Sequence, residues 1–393
     1  MLNEQSLALG RSESCIRALA TYGAARKAEI GADKVFDFSI GSPSVPAPPV
    51  FRETLDALLR TDPVELHAYT AAPGLMSFRT AIAADLNRRY DTHIRPELVF
   101  VTCGASAGMA TCMRALLNPG EKALVFAPFF PDYRVYVETM GAHLVVVPPA
   151  AGLQPDLDAL ERMLDADTAV VILNTPNNPS GVILSRESLI RLSGILRAAE
   201  ARFGHPIYLV SDEPYRELVY DGTPVPSPLL DYDDTILCYS FSKSLSLPGE
   251  RIGYLAVSSR MADREQVFAA LCGASRVIVH INAPSLMQRA VELCLDQTSD
   301  LSVYKDNRDL LYHALTALGY ECVYPDGAFY LFVKTPEPDA RAFSERAKRH
   351  ELLLVPSDDF GVGGYVRLAY CVSADMIRRS LPAFAALAKE YGL

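Results

Sequence analysis

The sequence predicts an α/β fold in which helices cover a large, mostly parallel β-sheet, with a smaller α+β domain after it. Short apolar runs recur between residues 98 and 257, and most are separated by a segment of helical length, which is typical of buried parallel strands. Beyond residue 257 the pattern changes, and short strands alternate with charged helices. A length of 393 residues suits one large and one small domain.

The segments ahead of the sheet predict helices over residues 14–27 and 50–60 and a short strand over residues 35–40. Gly41 opens a proline-rich stretch that can continue neither a strand nor a helix, so we expect an extended loop there. Pro73 and Gly74 predict a turn that opens an amphipathic helix.

The apolar runs of the large domain predict strands over residues 98–102, 123–127, 144–148, 169–173, 207–211, 235–240 and 252–257. The intervening segments predict helices over residues 104–117, 132–140, 157–164 and 186–202, with Ser185 as the cap of the last. In such sheets ligands bind at the carboxyl ends of the strands. Unusual side chains just after each strand are therefore candidate ligand contacts.

The rest of the chain predicts helices over residues 262–272, 284–295 and 302–318. Four strands follow, over residues 321–324, 328–333, 351–355 and 365–370, with a charged helix over 339–349 and a terminal helix. These patterns suggest an N-terminal arm and part of the small domain over residues 1–49 and a large domain over 50–283. Connecting helices then span 284–313, and the C-terminal small domain spans 314–393.

The bulk composition excludes several classes of protein. The net charge is −10, from 37 Lys and Arg against 47 Asp and Glu, and basic runs are absent, which argues against nucleic acid as a partner. No apolar run reaches the length of a membrane span. The eight cysteines are scattered without metal-ligand spacing, so we expect reduced thiols, a cytoplasmic protein and no metal site.

The stretch YSFSKSLSLPGERIGY, residues 239–254, places one lysine, Lys243, between small polar residues after a predicted strand. An amine on a loop at that place can attack a carbonyl carbon and form a Schiff base. The alternative is a structural loop lysine beside Arg251, so the other strand ends must supply what a Schiff-base cofactor needs.

Several strand ends carry such features. Gly104-Ala105-Ser106 leads straight into a helix, whose free N–H groups could bind an anion or whose small side chains could simply allow close packing. Phe130 could lie on an aromatic ring or belong to the core, and Asn177-Asn178 between prolines could aim an amide or form an ordinary turn. Asp212 ends a buried strand, where a carboxylate is costly unless a cation, such as a protonated pyridine nitrogen, meets it.

This ordered set resembles the class I/II aminotransferases, the fold-type I enzymes that use pyridoxal 5′-phosphate (PLP). The resemblance covers essentially the whole chain. NNPSG, SDEPY and SFSKSLSLPGERIG are its specific motifs, and HAYTAAPG, GAFY and YVRLAY support them.

The resemblance implies a role for each matching residue around the cofactor. Lys243 would hold PLP as a Schiff base and then move the substrate proton, Asp212 would hold the pyridinium nitrogen, and Phe130 would stack on the ring. Asn178 and Tyr215 would bond the ring hydroxylate. The remaining cofactor contacts would hold the phosphate: Gly104, Ala105, Ser106, Ser240, Arg251 and Tyr69, the last reaching the neighbouring subunit of a homodimer.

On the substrate side, the resemblance implies that Arg367 grips the α-carboxylate, with Gly41 and Asn178 beside it. The chain departs from the family at Pro356-Ser357-Asp358-Asp359-Phe360-Gly361, where relatives usually carry a Gly-rich turn of the form Pro-Gly-x-x-Phe-Gly. Asp358 and Asp359 could alter substrate preference, although we expect them to face water.

The expected activity is transfer of an amino group from an L-amino acid, aspartate first, to a 2-oxo acid such as 2-oxoglutarate by a ping-pong route. Aromatic amino acids and alanine are open as donors. The fold also hosts C–S β-lyases, decarboxylases and amine oxidases. A regulator module of this fold would need a DNA-binding segment, which the sequence does not contain.

Overall fold

The computed structural model describes residues 2–12 and 14–393. The strands are β1 Phe36–Asp37, β2 Val99–Thr102, β3 Lys122–Phe126, β4 His143–Val147, β5 Thr168–Asn174, β6 Tyr208–Asp212, β7 Thr235–Ser240, β8 Gly253–Val257, β9 Cys322–Val323, β10 Tyr330–Lys334, β11 Leu352–Leu353, β12 Val355–Pro356 and β13 Tyr365–Ala369. The helices are α1 Glu4–Arg11, α2 Cys15–Ile30, α3 Pro49–Leu58, α4 Pro63–His67, α5 Met76–Tyr90, α6 Ala105–Leu116, α7 Asp132–Glu138, α8 Leu157–Met163, α9 Arg186–Phe203, α10 Phe241–Ser244, α11 Arg264–Val277, α12 Ser285–Glu292, α13 Ser302–Ala317, α14 Ala340–Ala347 and α15 Ala374–Glu390.

A seven-stranded sheet in the order β2-β8-β7-β6-β5-β3-β4 confirms the predicted large, mostly parallel sheet. Only β8 is reversed, since it pairs antiparallel with both β2 and β7. Its amino end therefore lies at the edge where the other strands have their carboxyl ends. This reversal brings Arg251, which precedes β8, to the same edge as residues that follow the other strands.

Helices cover both faces of this sheet, because successive side chains of a strand point to opposite faces. On β3, Val125 packs in one apolar cluster with Met109 of α6 and Leu271 of α11. Its neighbour Leu124 belongs to a cluster on the other face that includes α8 and α9. Burying each such side chain contributes about 1.5–3 kcal/mol, which makes the sheet a firm base for the residues at its edge.

The smaller unit has a four-stranded antiparallel sheet in the order β12-β13-β10-β9. The prediction of one strand over residues 351–355 was wrong. The chain changes partner near Leu354, so that β11 pairs with β1 and β12 pairs with β13. The strand predicted over residues 35–40 is also shorter, because only Phe36 and Asp37 find partners on β11.

The N-terminal segment joins the smaller unit through the parallel pair β1–β11. Helix α1, which sequence patterns did not predict, begins after Asn3, whose side chain accepts a hydrogen bond from the Ser6 N–H. The domain boundaries stay a prediction, and the β1–β11 pairing agrees with grouping the N-terminal arm with the small domain. Within the described residues, no helix is long and apolar enough to cross a membrane.

Candidate active site

A cavity of about 250 Å³ opens at the sheet edge where β5, β6 and β7 have their carboxyl ends. It collects residues from both units and from the N-terminal arm. Eleven of the predicted site residues line it: Gly41, Ala105, Ser106, Phe130, Asn178, Asp212, Tyr215, Ser240, Lys243, Arg251 and Arg367.

Lys243 lies on the single helical turn α10 directly after β7, and not on the irregular loop that we expected. Its Nζ donates a hydrogen bond of 2.8 Å to the carbonyl oxygen of Gly41. Burial lowers the pKa of Lys243 to about 8, and the positive charges of Arg367 and Arg251 act in the same direction. The amine is therefore partly unprotonated near neutral pH, as a nucleophile requires.

Asp212, at the end of β6, is 7% exposed, and burial raises the pKa of its carboxyl group to about 6. The Tyr133 hydroxyl donates a 2.5 Å hydrogen bond to Oδ2. The buried Oδ1 has no hydrogen-bond partner among the residues described. One carboxylate oxygen is thus fixed by the protein, while the other is left for a donor that enters the cavity.

Two asparagines connect the backbone of Asp212 to Arg367 on β13. The Asn174 amide donates to the Asp212 carbonyl, and its oxygen accepts from the Asn178 N–H, each at 2.8 Å. The side-chain oxygen of Asn178 in turn accepts a 3.1 Å hydrogen bond from Nη1 of Arg367. These hydrogen bonds therefore fix Asn178 relative to both Asp212 and Arg367.

Arg367, on β13, is 2% exposed. Its Nη2 donates to the Ser39 carbonyl at 2.6 Å, and its guanidinium lies 4.6 Å from the centre of the Tyr330 ring. Within the described chain, the buried Nε has no acceptor. An arginine with no buried carboxylate beside it and a free N–H suits an anionic ligand group.

Gly104 and Arg251 form a second place for an anion. Gly104 has φ +84°, and a Cβ there would lie 2.8 Å from Nη2 of Arg251. Helix α6 begins at Ala105, and in the part of the chain that is described no side chain caps its first N–H groups. Arg251 has φ +53°, a costly conformation for a side-chain-bearing residue, and its guanidinium is held by the Pro248 carbonyl at 2.9 Å. The free N–H groups and the guanidinium suit a phosphate.

Gly41 and Tyr330 approach each other closely at the other wall. A Cβ on Gly41 would lie 2.1 Å from the Tyr330 hydroxyl, so only glycine fits without movement. The same hydroxyl lies 2.9 Å from that of Tyr215. Burial raises the pKa of Tyr330 to about 12, so its hydroxyl stays protonated near neutral pH.

Sequence reasoning missed several lining residues. Tyr330 lies in the quoted stretch GAFY, and Tyr133 follows the predicted site residue Phe130 by three positions, so the tyrosine itself was the available signal. Ile16 and Ile40 also line the cavity, and neither belongs to a motif. Of the predicted residues outside the lining, Gly104 lies against Arg251, and Tyr69 is 95% exposed.

We expected Asp358 and Asp359 to face water, but both also have partners within the protein. Their side chains are 39% and 32% exposed, and both lie near the guanidinium of Arg341. Asp359 also accepts a hydrogen bond from the Cys15 N–H. Arg341 is distant in sequence, so nothing in the local pattern indicated these partners.

The residues present fit PLP. An open anion site for the phosphate, a buried carboxylate oxygen that lacks a donor, and an amine with a lowered pKa border one cavity. A ligand with a phosphate, a protonated ring nitrogen and an aldehyde would satisfy all three.

Comparison with known proteins agrees with this site. The sequence profile of the family described as aminotransferase class I and II matches residues 33–384. The crystal structure of an amino transferase from Eubacterium rectale is 46% identical, with a TM-score of 0.97, and covers all of both chains. The aspartate aminotransferase of Thermotoga maritima is 31% identical over 89% of this chain and 90% of its own length. The structure of Thermus thermophilus aspartate aminotransferase with maleate has a TM-score of 0.86 at 26% identity and covers 98% of this chain and 99% of its own. The chain therefore belongs to the class I and II aminotransferases and is a PLP-dependent enzyme of fold type I.

Proposed function

We propose that this aminotransferase moves the amino group of an L-amino acid, aspartate as the first candidate, to 2-oxoglutarate by a ping-pong route. The observation that carries the proposal is the presence of Lys243, Arg251 and Arg367 in one cavity with the unsatisfied carboxylate of Asp212. The choice of aspartate rests on relatives that bear this name, such as the Thermotoga maritima enzyme.

The cofactor end of the site would be held by side chains that are already fixed. Arg251, Ser240 and the N–H groups of Ala105 and Ser106 would bind the phosphate, since charged donors and a helix N-terminus favour an anion. Asp212, oriented by Tyr133, would keep a proton on the ring nitrogen.

Further side chains would complete this end. Asn178 and Tyr215 would donate hydrogen bonds to the ring oxygen, and Phe130 would cover one face of the ring. When bound, PLP supplies an electron sink beside the substrate Cα.

Lys243 would move the proton between the substrate Cα and the cofactor carbon C4′. A pKa of about 8 suits this work, because a base is most effective when its pKa lies near the operating pH. Its bond to the Gly41 carbonyl also aims the amine toward the loop that would lie beside the substrate.

Arg367 would bind the α-carboxylate and so orient the Cα–H bond toward Lys243. The fork geometry of a guanidinium fits a carboxylate in pairs of hydrogen bonds, which fixes direction as well as position. Its contacts with Asn178 and the Ser39 carbonyl hold the fork in place before the substrate arrives.

A screen of L-amino acids with 2-oxoglutarate tests this proposal. We expect glutamate to form in equal amount to the 2-oxo acid of the donor. A C–S lyase would instead release pyruvate and ammonia from a suitable donor without any second substrate. Formation of pyruvate and ammonia with no glutamate from any donor would contradict the proposal.

The enzyme would work as a homodimer in which Tyr69 reaches the neighbouring site. Two adjacent segments, 64–76 and 277–293, expose large apolar side chains: Val64, Tyr69, Met76, Val277, Val279 and Leu293. The segments are joined by a 2.9 Å hydrogen bond from Ser285 to the Leu66 carbonyl. An exposed apolar surface of this kind suits contact with a second copy.

Mixing two defective variants tests the shared site. Tyr69→Ala and Lys243→Ala would each have little activity alone, but a mixed dimer would hold one site with Lys243 in one subunit and Tyr69 in the other. We expect activity to return on mixing. No return despite formation of mixed dimers would show that Tyr69 does not act across the interface.

The cytoplasmic location also belongs to the proposal. All eight cysteines are free thiols in the structure, four of them buried, which agrees with a reducing compartment.

A further inference from the structure

The first turn of helix α2 lies at the mouth of the cavity. Ile16, the second residue of the helix, lines the cavity together with Ile40 from the loop after β1. If Arg251 binds the phosphate and Arg367 the α-carboxylate, these two aliphatic side chains are left to face the remainder of the substrate. Ile16 would then contact the substrate side chain.

The two halves of α2 are held by different contacts. Arg26 binds Glu351 with its Nε 3.0 Å from Oε2, and Lys27 binds Asp37 at 2.6 Å, so the second half is fixed to the smaller unit. The first turn contacts the same unit through Asp359, whose Oδ2 accepts a 3.1 Å hydrogen bond from the Cys15 N–H.

Asp359 is itself held in place from the other side. Its Oδ1 accepts a 3.1 Å hydrogen bond from Nη2 of Arg341 on α14. A carboxylate at a helix N-terminus is favourable because it satisfies a free N–H and meets the positive end of the helix dipole. Phe360, the next residue, is buried and packs in the same apolar cluster as Ile16.

Asp358 has fewer partners than its neighbour Asp359. Its nearest cation is Nε of Arg341 at 3.7 Å, and it makes no hydrogen bond to α2 in the described structure. The pair therefore offers two adjacent carboxylates of similar exposure, of which only Asp359 accepts a hydrogen bond from α2 in the described structure.

We infer that Asp359 is a positioning residue, which holds the first turn of α2 so that Ile16 forms an apolar wall against the substrate side chain. The role toward the substrate rests on the proposed function, whereas the hold on the helix does not. Asp359 occupies one of the two positions that the family pattern Pro-Gly-x-x-Phe-Gly leaves open, so the pattern itself does not specify this contact.

Hydrogen exchange tests whether Asp359 stabilises the first turn of α2, and it does not depend on catalytic activity. Asp359→Ala should speed exchange of the peptide over residues 14–20 by about 5-fold, because it removes a charged acceptor from the Cys15 N–H while the Ser14 side chain still accepts from the Arg17 N–H. Asp359→Asn keeps an oxygen acceptor and should restore most of the protection, and Asp358→Ala should change little. Unchanged exchange in Asp359→Ala, or equal changes in both alanine variants, would overturn the inference.

A double-mutant cycle tests the route through Ile16. With the best donor from the amino-acid screen, Asp359→Ala should raise KM about 5-fold and leave kcat within about 2-fold, as expected of lost binding contacts. In an Ile16→Ala background the same change should add less than about 2-fold, because the wall is already absent. An equal effect in both backgrounds would show that Asp359 does not act through Ile16. Failure of every donor with wild-type enzyme would refute the proposed function alone and leave the exchange result standing.

Discussion

The ring end of the cavity, formed by Tyr133, Asn178, Asp212 and Tyr215, differs in construction from the mouth, formed by Ile16, Ile40, Gly41 and Asp359. The ring-end residues are at most 7% exposed, and Asp212, the last residue of β6, is fixed by hydrogen bonds within the large unit. The mouth residues come from the N-terminal arm and from a loop of the smaller unit, and they are partly or largely exposed. The comparison suggests that the ring end supplies the chemistry shared by the family, whereas the mouth can vary with the substrate.

Removing the charge of Asp212 at the ring end should have the largest effect on activity. Asp212→Asn should lower kcat/KM for amino transfer by about a thousand-fold, since removing one partner of a buried charge pair costs several kcal/mol. Steady-state kinetics and the dissociation constant of PLP measure the change.

The neighbouring Glu213 provides a matched control. It is also buried, at 1% exposure, but its carboxylate accepts from Ser211 and does not line the cavity. Glu213→Gln should leave the affinity for PLP within a few-fold, so an equal loss in both variants would mean that burial alone explains the effect.

The pH dependence of cofactor capture tests the amine at the centre of the cavity. With a pKa of about 8, roughly a tenth of Lys243 is unprotonated at pH 7, some 300-fold more than for an ordinary lysine. Because burial lowers the pKa, the rate at which PLP binds the apoenzyme should rise with pH through about 8 and then level off. A rise that continued to pH 10 would show that Lys243 has an ordinary pKa.

Arg367 lies between the two regions, and Arg367→Lys tests the orientation that it imposes. Lysine keeps the charge but loses the fork, so kcat/KM should fall by about 10- to 100-fold, through a higher KM from weaker binding and a lower kcat from lost orientation. Arg308→Lys is the control, because Arg308 is equally buried but pairs with Asp221 at 2.7 Å, away from the cavity. An unchanged KM in Arg367→Lys would show that Arg367 does not bind the substrate.

The smallest effect is expected from Tyr133→Phe, which removes the hydrogen bond to Asp212. That bond lowers the pKa of Asp212 against the effect of burial, so its loss should raise this pKa and move the acid limb of the pH–rate profile upward. We expect activity to fall about 5-fold at neutral pH. Tyr232→Phe removes another buried hydroxyl, which donates to the Ile207 carbonyl, and should leave the profile unmoved. If the wild-type enzyme, Tyr133→Phe and Tyr232→Phe had the same pH–rate profile, Tyr133 would have no role in the chemistry.

The same contrast explains how much could be predicted from the sequence. Asp212 and Lys243 directly follow buried strands, so the rule that parallel strands end at one edge was enough to bring them together. Arg251 was placed there by the family motif, and the reversal of β8 supplies the physical reason.

The mouth could not be predicted in this way. Cys15 and Asp359 meet across 344 positions of sequence, and Ile16 lies in a helix that carries no motif. The split of residues 351–355 between two strands has the same origin, because strand partners are chosen by tertiary packing and not by the local run of apolar residues.

Lys243 is expected to carry the cofactor, and chemical trapping of the bound PLP is the direct test of this role. Reduction of the PLP-loaded enzyme with borohydride, followed by digestion and mass spectrometry, should place a phosphopyridoxyl group on the peptide that contains Lys243. The same treatment of Lys243→Ala should give no such peptide. A modification on any other lysine of the loaded wild-type enzyme, with Lys243 unmodified, would contradict the account.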